Sequence, residues 1–208
     1  MNIIWNPREI ENRSMEIIES YLDGYEFGPV EKQIVKRVIH TTGDPDIVKY
    51  LRFHPRAIEA GLSALEGGAH VFTDVNMLKS GINAARLESC GGQVLCLISE
   101  PATIANSKAW EITRAAAAMR QFGPRLNGAI VAIGNAPTAL FEVLDLVEQG
   151  ICRPALVVGT PVGFVGAAES KEMLVGQDLI PYISLLGTRG GSPIAVSIVN
   201  ALLYSEGA

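Results

Sequence analysis

From about residue 68 onward, short runs of Val, Ile and Ala alternate with longer stretches whose apolar residues recur every three or four positions. The runs His70–Asp74, Gln93–Ile98, Ala129–Gly134, Ala155–Gly159 and Tyr182–Leu186 are nearly continuously apolar, as strands covered on both faces must be. Helical spacing predicts helices over Met77–Leu87, Lys108–Gln121, Pro137–Gln149, Ala167–Val175 and Pro193–Tyr204. Pro137 and Pro193 follow Gly-Asn-Ala and Gly-Gly-Ser turns, where a first helical residue belongs. The alternation predicts an α/β fold, a doubly wound and mainly parallel sheet.

The first 65 residues lack this alternation and read as a helical extension folded onto the α/β core of residues 66–208, the whole forming one domain over 1–208. Asn6-Pro7-Arg8-Glu9 has the pattern of an N-cap, a proline and a first-turn acid, which starts a helix running to about Leu22. Its apolar stripe is Ile10, Ile17, Ile18 and Tyr21, with Ser14 on the same face, where a serine either bonds back to the carbonyl four residues earlier or serves a ligand. A second helix is expected from Pro29 to Thr42, ended by Gly43 and Pro45. Val30, Ile34, Val35, Val38 and Ile39 form its inner face, and Gln33, Lys36, Arg37 and His40 its outer one. For a lone Lys or Arg such a face is ordinarily just solvated. His40 differs because it falls in the last turn, where the helix dipole favours imidazolium.

Composition narrows the function. Charged residues are 19% and hydrophobic residues 48% of the 208, which excludes a disordered chain. A net charge of -5 argues against a nucleic-acid binder, which needs a basic surface. The start of the chain has no secretory pattern, and the longest apolar run, Ala155–Ala168, is interrupted by Gly159, Pro161, Gly163 and Gly166, so a cytoplasmic protein with no membrane span is expected. Cys90, Cys96 and Cys152 have no C-x-x-C spacing and read as reduced, buried thiols. His40, His54 and His70 fit no metal-ligand pattern, and no bound metal is expected.

In a parallel sheet of this kind ligands bind beyond the carboxyl ends of the strands, at helix N-termini with free amides. Four stretches take that place: Thr73–Met77, Gly134–Pro137, Gly159–Gly163 and Gly187–Ser192. Tight strand-to-helix turns account for most of their glycines. No G-x-x-x-x-G-K-S/T loop, no early G-x-G-x-x-G and no G-x-S-x-G elbow is present, which leaves nucleotide binding and Ser-His-Asp hydrolysis without support.

Four ordered segments resemble those of the precorrin-8X methylmutase (precorrin isomerase) family: Arg37–Asp44 (RVIHTTGD), Phe72–Ile82 (FTDVNMLKSGI), Ala132–Leu140 (AIGNAPTAL) and Gly187–Pro193 (GTRGGSP). The likeness extends over nearly the whole chain. It implies a flavodoxin-like or Rossmann-like fold, a homodimer, no added cofactor, and an isomerase of cobalamin biosynthesis that moves a methyl group from carbon 11 to carbon 12 of precorrin-8X or cobalt-precorrin-8. It maps the catalytic histidine onto His40, and substrate contacts onto Arg37 and Ser14. Within the matched motifs and at the helix starts, Thr41, Thr42, Asp74, Met77, Arg114, Asn135, Arg189 and Gly190 complete the candidate substrate-binding set. A methyl shift needs neither nucleophile nor redox partner, and a histidine, with an unperturbed pKa of about 6.5, suits reversible protonation of a ring nitrogen. The substrate's carboxylates call for guanidinium partners, for which Arg37, Arg114 and Arg189 are candidates. A broad macrocycle needs the helical extension or a second subunit to complete its pocket, and the Ala115–Ala118 run suits a buried helix or a subunit contact. A corrinoid carrier without catalysis and an unrelated nucleotide-binding transferase remain as alternatives.

Overall fold

The computed structural model describes residues 3–205. Six strands form one sheet in the order β1-β6-β5-β4-β2-β3. They are β1 (Leu51–Phe53), β2 (Val71–Thr73), β3 (Val94–Leu95), β4 (Ile130–Ile133), β5 (Leu156–Gly159) and β6 (Tyr182–Leu185). Five run parallel, with Val71 opposite Ile130 and Val157 opposite Tyr182, while β1 pairs antiparallel with β6, Leu51 opposite Leu185. The expected doubly wound, mainly parallel sheet is therefore observed. Its antiparallel edge comes from within residues 1–65, so the extension joins the sheet as well as covering it.

Ten α-helices accompany the strands among the described residues: α1 (Pro7–Ser20), α2 (Pro29–Thr42), α3 (Ala57–Glu66), α4 (Asn76–Gly81), α5 (Ala84–Ser89), α6 (Pro101–Ala109), α7 (Arg114–Phe122), α8 (Pro137–Glu148), α9 (Ala167–Gly176) and α10 (Ser192–Tyr204). The sheet separates two apolar cores. One is built with α2, α3, α4, α5 and α10, the other with α7, α8 and α9. In α2, Ile34, Val35, Val38 and Ile39 are buried against the first core, and burial of each such side chain contributes about 1.5–3 kcal/mol. α2 begins with Pro29 and a Glu31 carboxylate that accepts from Gly28 N–H at 3.0 Å. It stops at Gly43, whose φ of 65° is left-handed, a conformation glycine adopts without strain.

Two expected helices are each divided. Met77–Leu87 becomes α4 and α5 because Asn83 caps α5, accepting from Arg86 N–H at 3.1 Å. Asn200 of α10 ties the break, accepting from Asn83 N–H at 2.9 Å and donating to the Gly81 carbonyl at 3.0 Å. Of Lys108–Gln121, the part from Arg114 forms α7, capped by the Thr113 hydroxyl, while Lys108 and Ala109 end a separate helix, α6, begun by Pro101; Glu111 between them has φ 52°. The predicted strand Gln93–Ile98 pairs only at Val94–Leu95. Cys152 is buried, whereas Cys90 and Cys96 are only partly so.

α1 departs most from its expected packing. Ile18 is buried, but Ile10, Ile17 and Tyr21 are about half exposed, at 45%, 47% and 51%. The amphipathic stripe exists, yet only its edge toward α2 is covered within the chain. Ala115–Ala118 are all buried, so the alanine run serves helix packing inside the subunit.

Candidate active site

His40 lies in the last turn of α2, on the face turned away from the core. Three surface depressions meet at it. One of about 430 Å³ is shared with Arg37, Thr41 and the exposed side of α10. A second of about 400 Å³ lies between α1 and α2, with Ser14, Ile17 and Tyr21 in its wall. The third, about 430 Å³, has Pro7, Ile10, Glu11 and Arg37 around it. The other two histidines serve structure: His54 Nε2 is 3.1 Å from Asp178 Oδ1, and His70 Nδ1 accepts from Gln93 N–H at 3.2 Å. His40 is the exposed imidazole that no hydrogen bond engages among the described residues.

The neighbours of His40 are held less firmly. Arg37 pairs with Glu11 of α1 at 2.8 Å, both about half exposed. Arg189, on the loop after β6, pairs with Asp44 just past α2 at 2.7 Å, and its guanidinium lies 5.3 Å above the Tyr50 ring. Exposed pairs of this sort are worth about 0–1 kcal/mol, so an incoming carboxylate can exchange for either acid. Ser14 Oγ donates to the Ile10 carbonyl at 2.8 Å, which is the backbone-bonded alternative, while the residue still borders the cavity shared with His40. Thr41 is exposed beside His40. Thr42 closes the helix instead, its hydroxyl donating to the Val38 carbonyl at 2.9 Å and accepting from Asp44 N–H at 3.3 Å.

Asp74 has a different place from the one expected. It is fully buried, and its oxygens accept from the amides of Gly134, Asn135 and Ala136 at 3.2, 2.8 and 2.7 Å. Burial raises the carboxyl above the usual carboxylate range, against the three amide donors, which lower it. The carboxylate is a brace across the sheet edge, and the amides expected to be free for a ligand at Gly134–Pro137 are already filled. The brace presents Asn135, which is exposed, beside the start of α10, where Gly134 approaches the Ser192 backbone too closely for any side chain.

Met77, the second residue of α4, is 70% exposed. Arg114 opens α7, whose cap hydroxyl on Thr113 is 2.7 Å from the Thr138 hydroxyl of α8. Both therefore lie along the carboxyl edge of the sheet, but neither borders the depressions at His40. Gly190 packs against the Thr160 and Pro161 carbonyls with no room for a Cβ, a reason for glycine independent of any ligand.

The α10 side of the depression that His40 shares with Arg37 and Thr41 was not legible as a site. Pro193, Val196, Ser197, Asn200 and Tyr204 line it. Their spacing of three and four is itself the signal, a partly polar stripe inside an otherwise apolar helix.

Comparison with known proteins identifies the family. The precorrin-8X methylmutase family model matches residues 9–205. A cobalt-precorrin-8 methylmutase of Leptospira interrogans is 42% identical over 203 residues, covering 94% of this chain and 92% of the relative. A precorrin-8X methylmutase of Pseudomonas aeruginosa is 44% identical over 172 residues, 82% of each chain. The crystal structure of the precorrin-8x methyl mutase from Thermus thermophilus superposes with a TM-score of 0.85 at 39% identity, covering 94% of both chains. Sheet order, motif order and these similarities converge: the chain belongs to the precorrin-8X methylmutase family and is an isomerase of the methylmutase type.

Proposed function

We propose that this enzyme acts in cobalamin biosynthesis, shifting a methyl group from carbon 11 to carbon 12 of precorrin-8X or its cobalt-bearing counterpart. The observation that carries the reading is His40, an exposed and uncommitted imidazole at the meeting point of three depressions and beside a guanidinium. In a 1,5-sigmatropic shift the bond from methyl to carbon 11 breaks as the bond to carbon 12 forms. No electron or proton is gained overall. His40 lends a proton to a ring nitrogen, adjusting the electron demand of the conjugated system, and takes it back once the methyl has moved. Arg37 and Arg189 leave Glu11 and Asp44 for the substrate's carboxylates, with bidentate geometry favouring guanidinium over ammonium. Ser14, Thr41, Met77, Asn135 and Arg114 are the remaining contacts proposed along the macrocycle's rim. Asp74 and Thr42 shape the backbone that presents them.

No single depression of about 400 Å³ encloses a polycarboxylate macrocycle, and ligand sites bury most of a ligand's surface. The half-exposed Ile10 and Ile17 of α1 and Tyr21 at its end border the depressions at His40 and supply an apolar surface there. We infer that a second subunit covers it, giving a homodimer that completes the pocket. Incubation of the purified enzyme with metal-free precorrin-8X and, separately, cobalt-precorrin-8 tests the activity. Methyl migration alters conjugation, so the absorption spectrum should change with at least one of them; two unchanged spectra contradict the assignment.

A further inference from the structure

The loop that carries Arg189 rests on a buried ammonium. Lys171, in the middle of α9, has no solvent exposure, and its Nζ donates to the Arg189 carbonyl at 2.6 Å. No carboxylate pairs with it among the described residues. A cation in such a place is expensive, and an apolar side chain of similar length ordinarily stabilises a protein more. The reason for a lysine therefore lies in what it holds. Two further bonds join the same strands of backbone: Gly191 N–H donates to the Thr160 carbonyl at 2.8 Å, and Gly163 N–H to the Thr188 carbonyl at 3.1 Å. Lys171 adds a side-chain clamp at the residue between them. Beyond that clamp the Arg189 side chain reaches Asp44 at the end of α2, the helix that bears His40.

We propose that Lys171 is a positioning residue for substrate binding: from inside the fold its amine fixes the Arg189 carbonyl, and so aims the Arg189 guanidinium at a substrate carboxylate near the His40 pocket. Burial lowers the amine from its ordinary 10.5 to about 8, so it stays charged at neutral pH and makes a charge-assisted bond. The proposal rests on the reading of Arg189 as a substrate ligand, and the two are separable by experiment.

Lys171→Met and Arg189→Ala are compared with the wild type in the full-length enzyme by KM and kcat with whichever of the two precursors is turned over and by thermal midpoint, and Lys171→Met and the wild type also by the rate of tryptic cleavage after Arg189 without substrate. Lys171→Met should fold with a midpoint no lower than wild type. Its Arg189–Gly190 bond should be cut about tenfold faster, and its KM should rise about tenfold with kcat nearly unchanged, the loss expected for one charge-assisted hydrogen bond. The double variant should show little more than the larger single effect on KM. If Arg189→Ala raises KM while Lys171→Met alters neither KM nor cleavage, the clamp is refuted and the reading of Arg189 stands. If Arg189→Ala leaves KM at the wild-type value, Arg189 is no ligand and the proposal falls with it. Should the methionine variant not fold, Lys171→Leu, which likewise lacks a donor, takes its place and must move the same two quantities.

Discussion

Each arginine near His40 is already held by an acid, and the weakness of those pairs is what makes them usable. Arg37–Glu11 and Arg189–Asp44 are surface contacts of 2.8 and 2.7 Å, worth about 0–1 kcal/mol in water. In the proposed binding mode, a substrate presenting several carboxylates displaces the one exposed glutamate. Glu11→Gln should therefore leave stability within about 0.5 kcal/mol while lowering KM, since Arg37 no longer has to be released; steady-state kinetics and urea denaturation check both halves. Ser14→Ala separates the two roles of that hydroxyl. A raised KM with an unchanged urea midpoint marks a ligand contact, whereas a shift in the midpoint alone marks the bond to Ile10 as its whole purpose. Lys171 gives a pH dependence of known sign. Its folded-state value of about 8 lies below the ordinary 10.5, so the folded protein binds this proton less tightly than the unfolded chain. The penalty is full below about pH 8 and fades toward pH 10.5. Relative to Lys171→Met, the wild type should gain stability as pH rises from 8 to 10, measured as a closing gap in urea midpoint.

Among the elements, the turn from β4 to α8 depends on a carboxylate from another strand. Asp74 takes three amides at once, and its removal leaves three buried or half-buried donors without partners. Asp74→Ala should cost about 3 kcal/mol or more, the scale of lost charge-assisted bonds plus desolvated amides, and should disorder Asn135. Denaturation and hydrogen exchange at Gly134–Ala136 report the two effects. This brace marks the limit of what a single chain of letters reveals. Strands β4, β5 and β6 and helices α2, α8 and α10 were legible because proline starts, glycine stops and apolar periodicity are local signals. That Asp74 spends its charge on residues sixty positions away is a consequence of parallel pairing between β2 and β4, and no local pattern records it. The same holds for the divided helices. Asn83 and Thr113 are visible as caps once the breaks are known, but Asn200 supplies the partner for one break from the far end of the chain. The strand β1 was missed because three residues, of which only Leu51 is fully covered, carry too little periodicity to stand out.

At the scale of the molecule, the site is open where a macrocycle demands enclosure. His40, Arg37 and Ser14 were singled out through motif resemblance, and the fold brings them to adjoining depressions that share His40. The exposure of α1 was not foreseeable from its stripe, since helical periodicity says which face is apolar and not which chain covers it. That uncovered face calls for a partner: sedimentation at micromolar concentration should give a dimer, and Ile17→Glu should shift it toward monomer with loss of activity. A wild-type monomer that is fully active contradicts the shared pocket. The central claim is more specific and rests on His40. Its outer-face position costs the core nothing, so His40→Ala should fold with a thermal midpoint near wild type and bind the corrinoid, yet turn over at least about a hundredfold more slowly, as for loss of a general acid. Turnover at the wild-type rate in that variant, followed by the same spectral change, would show that the methyl group migrates without this imidazole.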